Sequence, residues 1–251
     1  MCSVSWCIND HGYQIYFNRD EQKTRPVALP PKRLNFSGIN VLMPIDPVGH
    51  GSWISTNDAG LSLCLLNNYQ GKVPATPLIS RGLLLSRLAK YTCLDEVGQA
   101  LCNNTLSKFA PFILLAFDLS LCEQQESVRA FHWDGEALCI NTMTSPVFSS
   151  AVALSQVSQY RYAAYQDLVV DETSQAARLA FHCHHHSAQH DKSVCLHRED
   201  AQTVSFTQVT VTQTEQHMSY VAGSPCDHLT PSSLANNRLT LSKQTTMSEA
   251  S

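Results

Sequence analysis

Apolar and polar residues alternate along residues 2–8 and 13–17, which also carry β-branched and aromatic side chains. Asn9-Asp10-His11-Gly12 lies between them, so the pattern predicts a hairpin. Residues 53–56 and 61–66 predict two more strands around an Asn57-Asp58-Ala59-Gly60 turn, and the second delivers Asn67 and Asn68 at its end. Leucines at 83, 84, 85 and 88 recur at near-helical spacing. So do Val97, Leu101 and Cys102, which predicts amphipathic helices over 80–91 and 94–106. Residues 112–118 read as a buried strand. Residues 127–132 and 136–141 read as a hairpin turning at Asp134-Gly135. A helix fits 155–169, and strands fit 194–198, 203–212 and 217–222.

Two stretches break the pattern. Residues 26–47 are proline-marked and read as irregular, with Lys32 and Arg33 on a solvated loop. Residues 227–251 are rich in Ser, Thr and Asn and read as a polar tail with a disordered end, so the domain is expected over 2–226. Strands at both ends with helices between them lack the βαβα rhythm of a parallel sheet. They predict an α+β fold with mixed or antiparallel sheets and helices outside.

The chain has 251 residues and a net charge of −4, which gives no reason to expect nucleic acid or an acidic membrane as partner. No basic-then-apolar leader opens it, and no stretch approaches the roughly 18 uninterrupted apolar residues of a membrane span. A cytoplasmic location is the expectation. The ten cysteines form no CxxC pair and are expected to be reduced, mostly buried thiols.

The candidate chemistry starts at Cys2. Removal of Met1 would leave a thiol and an α-amine on one residue, with ordinary pKa values of roughly 8.5 and 7.7–8.0. The amine can then take the thiol's proton, as in enzymes whose nucleophile and base share the first residue. The hairpin brings Cys2 near Arg19 and Asp20, just beyond the end of its second strand. Alone, that pair would be an ordinary surface ion pair. Asn67 or Asn68 can donate a side-chain N–H to an oxyanion or simply cap a turn. His182, His184, His185, His186 and His190, with Cys183, invite a metal, yet they lack a clear four-ligand set. No metal or cofactor is assigned from the sequence.

Met1-Cys2-Ser3-Val4-Ser5-Trp6, Asn18-Arg19-Asp20-Glu21 and Thr24-Arg25-Pro26 resemble the NRDE family, which includes the transport-and-Golgi-organisation (Tango-type) proteins. The resemblance continues through 49–54, 57–60, 65–67, 193–198 and 203–205. It implies a branch of the N-terminal-nucleophile hydrolases, related to bile salt hydrolase and penicillin V acylase, and thus a four-layer αββα sandwich. By the same resemblance Asn67 matches the oxyanion-hole asparagine. Thr144, followed by Ser145, stands where the acylases often carry an active-site Asn. A late arginine near the nucleophile matches Arg161 or Arg178.

The resemblance therefore implies Cys2 as nucleophile, Arg19 lowering its pKa, Asp20 orienting the amine and Asn67 holding the oxyanion. The expected partner is a small-molecule amide or acyl substrate. The other expectation is a non-catalytic Tango-type protein concerned with Golgi organisation or with lipid or haem handling.

Overall fold

A computed structural model describes residues 1–75, 78–123, 127–170 and 174–242. In chain order the elements are β1 (Cys2–Asn9), β2 (Gly12–Gln22), β3 (Leu29–Phe36), β4 (Ile39–Ile45), β5 (Ile54–Asn57) and β6 (Ser62–Asn67). Then follow α1 (Arg81–Leu88), α2 (Leu94–Cys102), β7 (Phe112–Phe117), β8 (Ser127–Trp133), β9 (Leu138–Thr144) and β10 (Val147–Ser149). The last are α3 (Leu154–Tyr165), α4 (Gln175–Cys183), β11 (Ala201–Thr212), β12 (Glu215–Ala222), α5 (Pro225–His228), α6 (Pro231–Asn236) and β13 (Arg238–Ser242).

The strands form two antiparallel sheets. One runs β10-β1-β2-β11-β12-β13, the other β3-β4-β5-β6-β7-β8-β9. Strand alternation builds the layers. On β1 and β2, Val4, Trp6, Tyr13, Ile15 and Phe17 point into a core between the sheets, where they meet Ile54, Leu66 and Phe117. On the outer face of the first sheet, Tyr16 and Phe206 pack under Leu179 of α4 and Leu234 of α6. On the outer face of the second, Leu63, Leu65 and Leu114 pack under Leu84, Leu88 and Val97 of α1 and α2. The result is the four-layer αββα sandwich.

Several expectations change. The stretch 26–47 is not irregular: it holds β3 and β4, and Lys32 and Arg33 lie on β3. Pro30 and Pro31 fit there because β3 is an edge strand with a register shift between Leu29 and Lys32, so their missing N–H groups break no ladder. Residues 194–198 form no strand, only a bridge between His197 and Gln202. Beyond Cys226 the chain keeps folding to Ser242, since β13 pairs with β12; the rest of the expected tail lies outside the described residues. Only Cys64 and Cys195 of the described cysteines are buried, and Cys102, Cys139 and Cys226 are exposed. No helix among the described residues is long and apolar enough to cross a membrane.

Candidate active site

Cys2 starts β1 with a strand on each side. It pairs with Arg19 of β2 and with Ser149 of β10. Arg19 and Asp20 lie within β2, which runs to Gln22, rather than past its end. Register then sorts the side chains. Arg19 shares the inner face with Cys2, while Asp20, one residue on, turns to the helix layer. Cys2, Arg19, Asn67 and Tyr69 line one cavity of about 500 Å³.

The Arg19 guanidinium lies over the Trp53 ring at 4.2 Å and is ion-paired with Asp46 at 3.0 Å and Glu21 at 3.1 Å. Arg25 binds the same Asp46 oxygen through Nε at 2.9 Å and a terminal nitrogen at 2.8 Å. Burial pushes the Asp46 carboxyl up, but the Arg25 hydrogen bond and the Gly49 and Val48 amides outweigh it and hold it below the usual carboxylate range. Gly51 lets this wall close: a Cβ there would stand 2.1 Å from the backbone of Gly82, at the start of α1.

Asp20 is held on the other face. Thr203 donates to its carboxylate at 2.6 Å, and Arg161 of α3 pairs with it at 3.3 Å, both side chains fully buried. Arg161 also donates to Ser3 at 2.6 Å. Of the two late arginines, Arg161 joins the opening motif. Arg178 instead lies near Cys7, whose thiol burial pushes up and the Arg178 charge pulls back down. Next to this pair, Ser5 bonds His182 at 2.8 Å and Asn18 bonds its other ring nitrogen at 3.0 Å. Burial, with the Arg161 charge second, pushes His182 down to about 3, so it is a neutral structural histidine. It sits on helix α4, which ends at Cys183, before the rest of the histidine tract.

The Asn67 amide donates one of its two N–H groups to the Tyr69 hydroxyl at 2.8 Å, and both residues line the cavity. Asn68 faces away, bonded to His132 at 3.0 Å. Thr144 and Ser145 do not line this cavity; Ser145 accepts from the Trp6 amide at 3.0 Å.

Met1 plugs the amine side of Cys2. Its side chain packs on Leu196 and Ala201, with its sulfur accepting from Ser150 at 2.9 Å. Its α-amine donates to the Tyr69 hydroxyl at 3.3 Å and the Asp20 carbonyl at 3.4 Å. In this form the Cys2 thiol is pushed above its ordinary value. Burial dominates, the Met1 ammonium opposes it, and Arg19 lowers the value only as a smaller effect. Arg19 therefore does not give a net lowered thiol pKa while Met1 is present.

The sequence reading missed Asp46, Trp53, Arg25 and Tyr69 as members of this cavity. Tyr69 follows Asn67 by two positions and Trp53 belongs to the 49–54 block, so both were within reach. Asp46 was hidden in a stretch read as loop.

The double-sheet sandwich with helices outside is the fold of N-terminal-nucleophile hydrolases, and Cys2 stands at the head of β1, one strand in from the edge of its sheet. A mutant of the conjugated bile acid hydrolase from Clostridium perfringens superposes with a TM-score of 0.56 at 11% identity, covering 87% of this chain and 88% of that one. The N-acylethanolamine-hydrolyzing acid amidase ortholog of Caenorhabditis elegans gives 0.58 at 9% identity, covering 83% and 92%. No curated protein sequence matches the chain. The chain belongs to the family described as Transport and Golgi organisation 2, whose profile matches residues 1–221.

Proposed function

We propose that this chain is an N-terminal cysteine hydrolase of linear amide C–N bonds or other acyl groups, formed when Met1 is removed. The observation that carries the reading is Cys2, at the head of β1 opposite Arg19, lining the same cavity as Asn67. Two structural neighbours are, by name, a hydrolase of conjugated bile acids and an acid amidase that hydrolyses N-acylethanolamines. With Met1 gone, the Cys2 amine takes the thiol proton and the thiolate attacks the acyl carbon. Asn67 and a backbone N–H hold the oxyanion. The amine returns the proton to the leaving amine, and water hydrolyses the thioester. Asp20, clamped by Arg161 and Thr203, fixes the backbone beside Cys2; its carbonyl accepts from the Met1 amine and its N–H donates to the Met1 carbonyl at 3.0 Å. The many free thiols suit a reducing, cytoplasmic compartment.

One observation favours a second, non-catalytic reading, in which Cys2 lines a pocket that handles lipid or haem in Golgi organisation. Arg19 spends its charge on Asp46 and Glu21 rather than on the thiol. A single comparison separates the readings. The native start, a short uncleaved extension before Cys2, and the same tag after Ser251 are compared at matched folding by intact mass and acyl-amide turnover. The hydrolase reading expects an acyl adduct on the trimmed chain and none on the extended one. Full turnover with the extension attached removes the amine as base. Stoichiometric haem or lipid binding by both forms, with no adduct on either, supports the second reading.

A further inference from the structure

Three ligand atoms converge away from the Cys2 cavity. Cys195 Sγ lies 3.3 Å from Cys226 Sγ, and His197 Nε2 lies 3.1 Å from Cys226 Sγ and 3.5 Å from Cys195 Sγ. Among the described residues this is the one grouping of three such side chains with all ligand atoms within 4.8 Å of one another. We propose that Cys195, His197 and Cys226 form a binding site for a thiophilic divalent cation, zinc in the first place.

The geometry fits. Bonds of about 2.3 Å to sulfur and about 2.0 Å to nitrogen give tetrahedral edges of roughly 3.5–3.8 Å. The His197–Cys195 separation already matches, and the two separations to Cys226 Sγ are a few tenths of an ångström short, so a small outward shift of Cys226 admits the ion. Two thiolates and one imidazole select zinc over the hard cations magnesium and calcium. Each thiol yields one proton and His197 binds as neutral imidazole, so no electron changes hands. Water completes the fourth position.

The ligands are anchored from two directions. Cys195 and His197 stand on the loop between α4 and β11, where the Cys195 amide donates to the His184 carbonyl at 3.0 Å and the His197 amide to the His190 carbonyl at 3.1 Å. Cys226 belongs to α5, whose preceding Ser224 hydroxyl donates to the Thr203 carbonyl at 3.0 Å. Leu196, between the two loop ligands, packs on Met1, and its amide donates at 2.7 Å to the Thr203 hydroxyl that binds Asp20. An ion here would brace a wall of the Cys2 site. The His182–His186 tract supplies none of the three ligands.

The competing fate of the sulfurs is a Cys195–Cys226 disulfide, which needs closure from 3.3 Å to about 2.05 Å and an oxidant. The test uses the full chain, reduced and stripped with a chelator, then titrated with cobalt(II) and with zinc(II). One equivalent of cobalt should give tetrahedral d–d absorption and a thiolate-to-cobalt charge-transfer band, both bleached by zinc, and zinc should raise the melting temperature. Cys226→Ser and His197→Asn should abolish the band with the fold intact by circular dichroism, while Cys139→Ser and His186→Ala leave it in place. A reduced chain that takes up no stoichiometric metal overturns the proposal. So does a band that survives Cys226→Ser but vanishes in His186→Ala.

Discussion

Asp20 and Arg161 stand 141 residues apart and meet as an ion pair at 3.3 Å, with neither side chain exposed. Removing one charge strands the other in a low-dielectric interior, which typically costs ~3–5 kcal/mol. Asp20→Asn and Arg161→Met should each lower unfolding free energy by that order in urea titrations. The double variant should recover part of the loss, because no lone charge then remains. A cost below ~1 kcal/mol for both single variants would mean that the pair is not buried as described.

Thiol reactivity should depend on Met1. While Met1 is present, burial holds the Cys2 thiol above its ordinary value. The exposed Cys102, Cys139 and Cys226 should then react ahead of it with substoichiometric iodoacetamide. After trimming, the Cys2 amine becomes the neighbouring base, and each unit by which it lowers the thiol pKa raises the thiolate fraction about tenfold. Peptide mapping of the trimmed chain should find the first label on Cys2. First labelling of Cys139 there would sink the site assignment.

Arg19→Lys should impair turnover more than Arg25→Lys. Both arginines hold Asp46, but only Arg19 also stacks on Trp53 and pairs across the strands from Cys2. Lysine keeps the charge and loses the planar fork and the stack. A loss of about tenfold or more in kcat/KM is expected for the first, equivalent to ~1.4 kcal/mol, and a smaller one for the second. Equal effects would detach Arg19 from the site.

His182 should make the fold acid-sensitive. Its folded value of about 3 lies below the unfolded value of about 6.5, so the unfolded chain binds the extra proton between those limits. Its contribution is complete above about pH 6.5 and falls away as pH drops toward 3. The urea midpoint should fall between pH 7 and pH 5, and His182→Gln should flatten that fall while lowering stability at pH 7. An unchanged slope in the variant would assign the acid sensitivity elsewhere.

Gly51→Ala should destabilise the wall that carries Trp53, because its Cβ would overlap the Gly82 backbone. Overpacking of this kind costs ~1–3 kcal/mol, and a chain of this size loses about 2–4 °C in melting temperature per kcal/mol. Calorimetry that finds no shift would place the 46–52 loop away from α1.

The hairpin and its register were readable because both depend on local alternation, and the register alone sets Cys2 opposite Arg19. Partners chosen across the fold were not. Arg161 and Arg178 look alike along the chain; only the packing of α3 on the first sheet separates them. Asp46 escaped because Pro30 and Pro31 read as loop, whereas an edge strand with a register shift tolerates both. The histidine tract drew attention by its density, while the cluster of Cys195, His197 and Cys226 offers only one short Cys-x-His spacing and takes its third ligand from α5, 29 residues on.

Met1 fixes when the proposed enzyme can come into being. The residue is only 9% exposed, its amine is tied to the Tyr69 hydroxyl, and Cys2 behind it is paired on both sides. An aminopeptidase needs a free, extended terminus, which the folded chain does not offer. On the proposed function, trimming of Met1 would have to precede the closing of β2 and β10 on Cys2. At about 5–20 residues per second, roughly 7–30 seconds pass before residue 149 is added. On that reading, maturation would be a race between a peptidase and folding, run once per molecule. Whichever form results would persist for that molecule's lifetime, so the active fraction in a cell would reflect a ratio of two rates and would not re-equilibrate afterwards.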